Sequence, residues 1–305
     1  MKTQIILAGG SGFIGESLAP VLLAKEYEVI VLSRTPSHQK GAVRFVQWDG
    51  NRLGDWTQVL DGAGAVVNLT GRNINCRHTP QNRREIIDSR VDSVRVLGDA
   101  IARCTQPPKA FVQASGAGIY GDTGDRWCDE NAPHGDDFLA RVCELWEETF
   151  AAVSAPGMRK SVLRIAPALG PNGGFLKVLG MLTRWFLGGQ VGGGRQFISW
   201  IHIADLSRMF LWAIERDDIT GVFNATSPNP ATNVEFMRKL RHALHRPWSP
   251  PVPKWAAHIG SWLMGTEASL ALTSCRATPK HFLESGFAFE FPELRQALAN
   301  IYPGQ

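Results

Sequence analysis

The sequence predicts an α/β fold: a doubly wound parallel sheet with helices on both faces, followed by a smaller C-terminal α/β unit. Three observations carry the prediction. Short apolar runs alternate with helical stretches through the first half. A glycine-rich turn joins the first apolar run to the first helical one. After Gly170 the texture changes to glycine-rich, apolar segments broken by further helices. Strands that read as continuous apolar runs are buried on both faces, which is how a parallel sheet between helices reads.

In chain order, QIILAG reads as a strand, ESLAPVLLAKE as a helix and EVIVLSR as a strand. Pro20 falls inside that first helix, where it should kink it or leave a bonding gap. VRFVQWD is a weaker strand and AGAVVNLTG a firm one. RREIIDSRVDSVRVLGDAIARC is a long helix, KAFVQASG a strand, FLARVCELWEETFAAV a helix and KSVLRIAPAL a strand. Beyond the glycine-rich stretch, WIHIADLSRMFLWAIE is a strand end plus a helix, and GVFNATSPNPAT leads into a helix at NVEFMRKLRHAL. RPWSPPVPKW is an extended surface segment. Helices return around KWAAHIGSWLMG and PELRQALANI. No internal repeat is visible.

With 305 residues, 44% hydrophobic and 20% charged, the chain can bury one large core or two interlocked ones. A net charge of +4 and the absence of an aromatic-and-basic motif argue against nucleic acid. The five cysteines (Cys76, Cys104, Cys128, Cys143, Cys275) are scattered without CxxC spacing, so neither a disulfide framework nor a zinc site is expected. The eight histidines are dispersed and suggest no metal site. The N-terminal apolar run is too short for a signal-peptide core, and nothing approaches the ~18 apolar residues of a membrane helix. The expectation is a cytoplasmic protein with reduced thiols and no membrane partner.

AGGSGFIG places Gly9, Gly12 and Gly15 at three-residue spacing directly after the first strand. Gly9 allows the tight turn, Gly12 lets backbone approach a pyrophosphate, and Gly15 lets helix pack on strand. The helix N-terminus, at Phe13 and Ile14, offers N–H groups and the positive end of its dipole. This is the Rossmann-type dinucleotide site, in the strand-to-helix context it needs. The second strand ends VLSRT. A site for NAD would usually carry Asp or Glu there. Ser33 and Arg34 instead suit a 2′-phosphate, so NADP(H) is the expected cofactor.

AGGSGFIG, VVNLTG, SGAGIYG and RIAPALG occur in the order seen in extended short-chain dehydrogenases/reductases, the epimerase/dehydratase group, which the chain resembles. SRV, FLARVCELWE, GGQVGGGRQFISWIHIADL and TPKHFLESGFAFEFPELRQAL are similar to the bacterial YfcH-like epimerase-family proteins, over nearly the whole length. The resemblance implies an NADP-binding domain of residues 1–169 and 200–226, and a substrate domain of residues 170–199 and 227–305. It implies cofactor contacts at Leu69, Thr70 and Gly71 after the fourth strand, at Glu85 and Arg90 in EIIDSR, at Ser115, and at Ala168. For Glu85 and Arg90 the plainer reading is an exposed ion pair on a helix. It further implies a small polar substrate, a nucleotide sugar being one candidate, and a homodimer through a four-helix contact.

The family works with Ser, Tyr and Lys; here Gly116, Phe138 and Val142 stand at the matching positions. Phe exchanges no proton and Val holds no charge. General acid–base catalysis contributes about a hundred- to ten-thousand-fold, so its usual carriers are gone. Tyr120 in GIYG and His202 in SWIHIAD are the substitutes on offer, against the plainer readings of a pocket-lining ring and a packed histidine. Cys143 reads as a buried inert thiol and Asp205 as a helix cap. Arg195 and Gln196 follow a glycine run and could grip substrate, and Trp200 could line the pocket or fill the core. Two readings stand: an NADP-dependent oxidoreductase or epimerase with a non-standard proton route, or a non-catalytic NADP(H)-binding sensor or regulator.

Overall fold

The structure, a computed structural model, describes residues 2–171 and 173–303. The chain opens with strand β1 (Gln4–Ala8), helix α1 (Phe13–Ala24), β2 (Glu28–Ser33), β3 (His38–Lys40), β4 (Val43–Gln47) and β5 (Ala65–Asn68). It continues with α2 (Pro80–Ile101), β6 (Ala110–Gly116), α3 (Phe138–Ala152), β7 (Arg159–Ile165) and the short β8 (Ala168–Leu169). Then come α4 (Gly174–Arg184), β9 (Phe197–Ile198), β10 (Ile201–His202), α5 (Ile203–Glu215), β11 (Gly221–Ala225), β12 (Ala231–Thr232) and α6 (Asn233–Ala243). Helices α7 (Lys254–Leu263), α8 (Ser269–Leu272), α9 (Lys280–Glu284) and α10 (Leu294–Ile301) follow.

Eight strands form one sheet in the order β11-β7-β6-β5-β1-β2-β4-β3, all parallel except the β3–β4 pair. This is the expected doubly wound fold, plus a short antiparallel edge strand, HQK, that the sequence did not signal. Ile5, Ile6, Leu7 and Ala8 are all buried, as a strand covered on both faces requires. Helix α1 packs on α5, and α2 on α3. Helix α1 runs on through Pro20, which is exposed. The strand order reverses between β1, β2 and β5, and there the carboxyl ends of the strands open the crevice that binds ligands in such sheets.

A second cluster, including Leu169, Leu176, Trp200, Phe236, Leu240 and Leu298, lies under α4, α6 and α10. The tail departs from the expected boundary. Phe282 and Phe287 belong to the main core, and the rings of Phe223 and Phe282 (5.0 Å apart) and of Phe282 and Phe287 (5.3 Å) pack α9 against β11. Residues of the last segment therefore serve both cores.

Candidate functional site

The turn after β1 builds the site. Gly9 has φ +71°, and a Cβ there would come within 2.8 Å of Thr70 Oγ1, so glycine is needed both for conformation and for the approach of the β5 loop. A Cβ on Gly15 would collide with the backbone of Gly10, which is the close helix–strand contact expected of it. Gly12 differs: a Cβ there would meet no heavy atom within 4 Å. Gly12 is also the N-cap of α1, in extended backbone, with no side chain capping the helix. The helix thus presents its first N–H groups, at Phe13 and Ile14, without a side-chain cap beside open space. The Phe13 ring fills the room left by Gly170, Gly173 and Gly174, fastening the glycine loop to the start of α4.

Across the crevice, Leu69 donates its backbone N–H to Ala8 O (2.8 Å) and Thr70 its own to Asn68 Oδ1 (3.0 Å). Asn68 is buried and also donates to Gln113 Oε1 (3.1 Å) and Ser93 Oγ (3.3 Å), so three strand and helix elements fix the loop that carries Thr70. The Thr70 hydroxyl is buried without a protein partner. An orphaned hydroxyl packed against Gly9 of the glycine turn fits a ligand with phosphate or ribose oxygens. Gly71 lies 2.9 Å, measured to a built Cβ, from the Arg90 guanidinium.

Arg90 is not the exposed ion-pair partner that residue type suggested. It donates to Ile86 O (2.9 Å) and Arg72 O (3.1 Å), and its guanidinium lies 4.9 Å from the Trp146 ring centroid. Glu85 does pair with an arginine, Arg72, and accepts from Gln81 Nε2 (3.0 Å). Arg34 is exposed at the end of β2, while Ser33 is buried with its hydroxyl 2.7 Å from Thr35 Oγ1. Of the expected pair only Arg34 is free to meet a 2′-phosphate. Ala168 is half-buried in β8, paired with Ile201.

At the three positions of the missing catalytic groups the space is filled. The Cys143 sulfur lies 3.3 Å from where a Cβ on Gly116 would stand, so a thiol crowds the side-chain position of the absent serine. Burial pushes that thiol up to about 11, against the pull of Arg90, which keeps it a neutral, inert group near neutral pH. Val142 is buried. Phe138, which opens α3 behind its Asp137 cap, has the Arg83 guanidinium 4.7 Å from its centroid and the His78 ring edge-on to it at 5.0 Å. His78 Nε2 donates to Ile74 O (3.1 Å), leaving Nδ1 with no bond assigned to it. His78, which the sequence reading did not single out, is brought by the fold against the position of the family's tyrosine. The signal was its place just before Thr79, the cap of α2, in the loop leaving β5.

Several candidates fall elsewhere. The Tyr120 hydroxyl is buried, donates to Asn224 Oδ1 (2.7 Å) and accepts from Arg164 Nη1 (3.0 Å). Burial raises its pKa to about 12, with Arg164 opposing. With its hydrogen bonds spent inside the protein, it is not placed to donate a proton to substrate. Ser115 likewise gives its hydroxyl to Glu147 Oε1 (2.6 Å), and Glu147 is clasped by Arg164 at 2.9 and 3.0 Å. These groups form one buried polar network behind the site, which the sequence reading did not find. His202 is buried as the N-cap of α5, accepting from Ala204 N (3.2 Å) with its ring on Phe291 (4.0 Å). Burial lowers its pKa, favouring the neutral cap. Asp205, expected to be the cap, instead accepts the backbone N–H groups of Glu290 and Phe291, both at 2.8 Å. Trp200 is fully buried and donates to Asn229 O (2.9 Å), which is core filling. Gln196 bonds to Val191 O and Ala271 O inside the second unit, and Arg195 is exposed in that unit. Among the described residues no group of three His, Cys, Asp or Glu is placed to hold a metal ion.

Residues 5–225 match the model of the NAD dependent epimerase/dehydratase family, and residues 252–301 match a domain of unknown function, DUF1731. The chain is 34% identical over 304 residues to the human epimerase family protein SDR39U1, covering 98% of this chain and 99% of that one. It is 32% identical over 301 residues to the epimerase family protein YfhF of Bacillus subtilis, covering 98% and 97%. Among solved structures, the human SDR39U1 crystal structure with NADPH superposes with a TM-score of 0.89 at 32% identity, over 99% of this chain and 100% of that one. A nucleoside-diphosphate sugar epimerase from Corynebacterium glutamicum gives 0.80 at 31%, over 99% of this chain and 58% of that one.

Proposed function

The chain belongs to the NAD dependent epimerase/dehydratase family, and we propose that it binds NADP(H) and carries out hydride transfer, as an oxidoreductase or epimerase, on a small polar substrate of nucleotide-sugar type. The observation that carries the cofactor is the open space over Gly12 at the side-chain-uncapped end of α1, with the orphaned Thr70 hydroxyl packed against Gly9 of the same turn. The N–H groups of Phe13 and Ile14 would hold the pyrophosphate, Thr70 a ribose or phosphate oxygen, and Arg34 the 2′-phosphate. The human relative, solved with NADPH, supports the phosphorylated form. When bound, NADP(H) supplies or accepts the hydride. The Corynebacterium relative's name supports the substrate class.

His78 is the group for the proton. It packs on Phe138, which stands where the family's tyrosine would, and its Nδ1 can take a proton while Nε2 stays bonded to Ile74 O. Arg83, whose guanidinium lies 4.7 Å from the Phe138 centroid, would hold an anionic part of the substrate. Protein loaded with NADPH deuterated at the transferable position is incubated with fractionated metabolites, and in parallel with NADP and a nucleotide-sugar pool followed by NMR. Label or epimer formation, lost in His78→Gln with NADPH affinity retained, is the expected outcome. A second reading, a non-catalytic cofactor-dependent regulator, is favoured by the filling of all three catalytic positions by Gly116, Phe138 and Val142. Tight NADPH binding with neither product would make it the better account.

A further inference from the structure

Ten of the thirteen large hydrophobic residues exposed among the described residues come from two segments, 181–187 and 248–264. They include four of the ten tryptophans, Trp185, Trp248, Trp255 and Trp262, each 62–75% exposed. The segments lie side by side: Arg246 Nε donates to Arg184 O (3.1 Å), and Val191 bridges to Val252. On α7, Trp255, Ile259, Trp262 and Leu263 follow the i, i+4, i+7, i+8 spacing that makes one face, and only Ser261 of that helix is buried.

The end of α4 shows that the exposure is held by the fold. Phe186 N donates to Thr183 O (3.1 Å) and Leu187 N to Leu182 O (2.9 Å), the bond pair of a Schellman cap. The residue between such bonds needs left-handed backbone and is usually glycine. Here it is Phe186, at φ +58° and half exposed. A bulky aromatic ring in that conformation is strained; Glu26 and His245 close α1 and α6 in the same way, but only here does the turn set a large apolar ring at the surface.

The charge around the patch selects its partner. Residues 173–200 and 236–266 contain eight Lys or Arg, with Glu235 and Glu267 the acids that border the second stretch. Two copies would repel through such faces. A nucleic acid would suit the charge and the rings but would leave Met181, Leu187, Ile259 and Leu263 in water. Interfacial tryptophans, aliphatic side chains and flanking cations in clear excess over acids are the chemistry that lies in the headgroup region of an anionic bilayer. We propose that this face of the second unit docks on anionic phospholipid surfaces. No helix among the described residues is long and apolar enough to cross a membrane, so the attachment is peripheral. This revises the expectation of no membrane partner, which considered spanning segments only. The face adjoins the crevice: Arg77 Nη2 donates to Trp262 O (2.7 Å), one residue from His78.

The test is flotation of the full chain with vesicles of phosphatidylcholine alone and of phosphatidylcholine with phosphatidylglycerol. Partition into the anionic vesicles, weakened by salt, with tryptophan emission shifted to the blue, is expected. Lys254→Glu, a change of two charge units, lowers the partition coefficient by roughly thirtyfold. Phe186→Gly relieves the backbone and removes an anchor, so it lowers partition by about tenfold while the melting temperature stays the same or rises. Four results would overturn the proposal: no partition, equal partition into both vesicle types, an oligonucleotide bound in preference to lipid, or a solution dimer that Phe186→Gly or Trp255→Ser dissociates.

Discussion

Gly12→Ala separates binding from folding. The backbone at Gly12, φ −96° and ψ −179°, is extended and open to any residue, and the added Cβ meets nothing within 4 Å. As an N-cap, alanine is poorer than glycine, so the folded state should lose at most about 1 kcal/mol. The methyl group does enter the space over the first N–H groups of α1. Displacing one phosphate oxygen from a charge-assisted hydrogen bond there costs about 1.5–3 kcal/mol, or roughly 10–150-fold in affinity. The assay is calorimetric titration with NADPH beside thermal unfolding with and without it. At a hundred times the wild-type Kd, ligand stabilises wild type by about 2.7 kcal/mol, and a variant bound tenfold more weakly by about 1.4 kcal/mol. Gly15→Ala is the control in the opposite sense, since its Cβ would collide with the backbone of Gly10 and should impair folding itself. If Gly12→Ala binds NADPH as tightly as wild type, the space over Gly12 is not the pyrophosphate site, and the assignment of Phe13, Ile14 and Thr70 falls with it.

Arg34→Ala should lower NADPH affinity by roughly 10–150-fold and leave NADH affinity unchanged, read by titration with each nucleotide, because one charge-assisted contact is lost from the 2′-phosphate alone. Glu147→Leu should destabilise the fold by about 3–5 kcal/mol, measured by urea unfolding, since it leaves Arg164, whose side chain is 5% exposed, without its carboxylate. Adding Arg164→Met should recover part of that loss, and strict additivity of the two changes would refute the network. Tyr120 should not titrate by ultraviolet absorbance until near pH 12 in the folded protein. Its unfolded phenol ionises first, near 10, so its contribution to stability is whole below about pH 10 and is lost as pH rises from there toward about 12. A phenol titrating near 10 in the native state would contradict its burial against Asn224.

What the sequence revealed and what it hid follow from the range of the interactions. Apolar runs and a glycine turn are local patterns, and β1, α1, β2 and the glycine loop answer to them residue by residue. The network of Ser115, Glu147, Arg164, Tyr120 and Asn224 joins side chains up to 109 positions apart, and no local pattern announces such a meeting. A trace of it was present all the same. Arg164 in VLRIA, Asn224 in VFNA, Asn68 in VVNL and Gln113 in FVQAS each interrupt an apolar strand. A polar group there must be buried, and a buried polar group must find partners. Those interruptions pointed to a connected interior more firmly than Tyr120 or His202 pointed to catalysis. A tyrosine near an expected site is reactive only if its hydrogen bonds are unspent, and the Tyr120 hydroxyl is committed on both sides; His202 caps α5 through Nδ1 and is kept neutral by burial. The reverse holds for His78 and Phe186: ordinary in the sequence, they become informative through what the fold sets beside them, a phenylalanine in a tyrosine's place and a strained turn that keeps an aromatic ring in water.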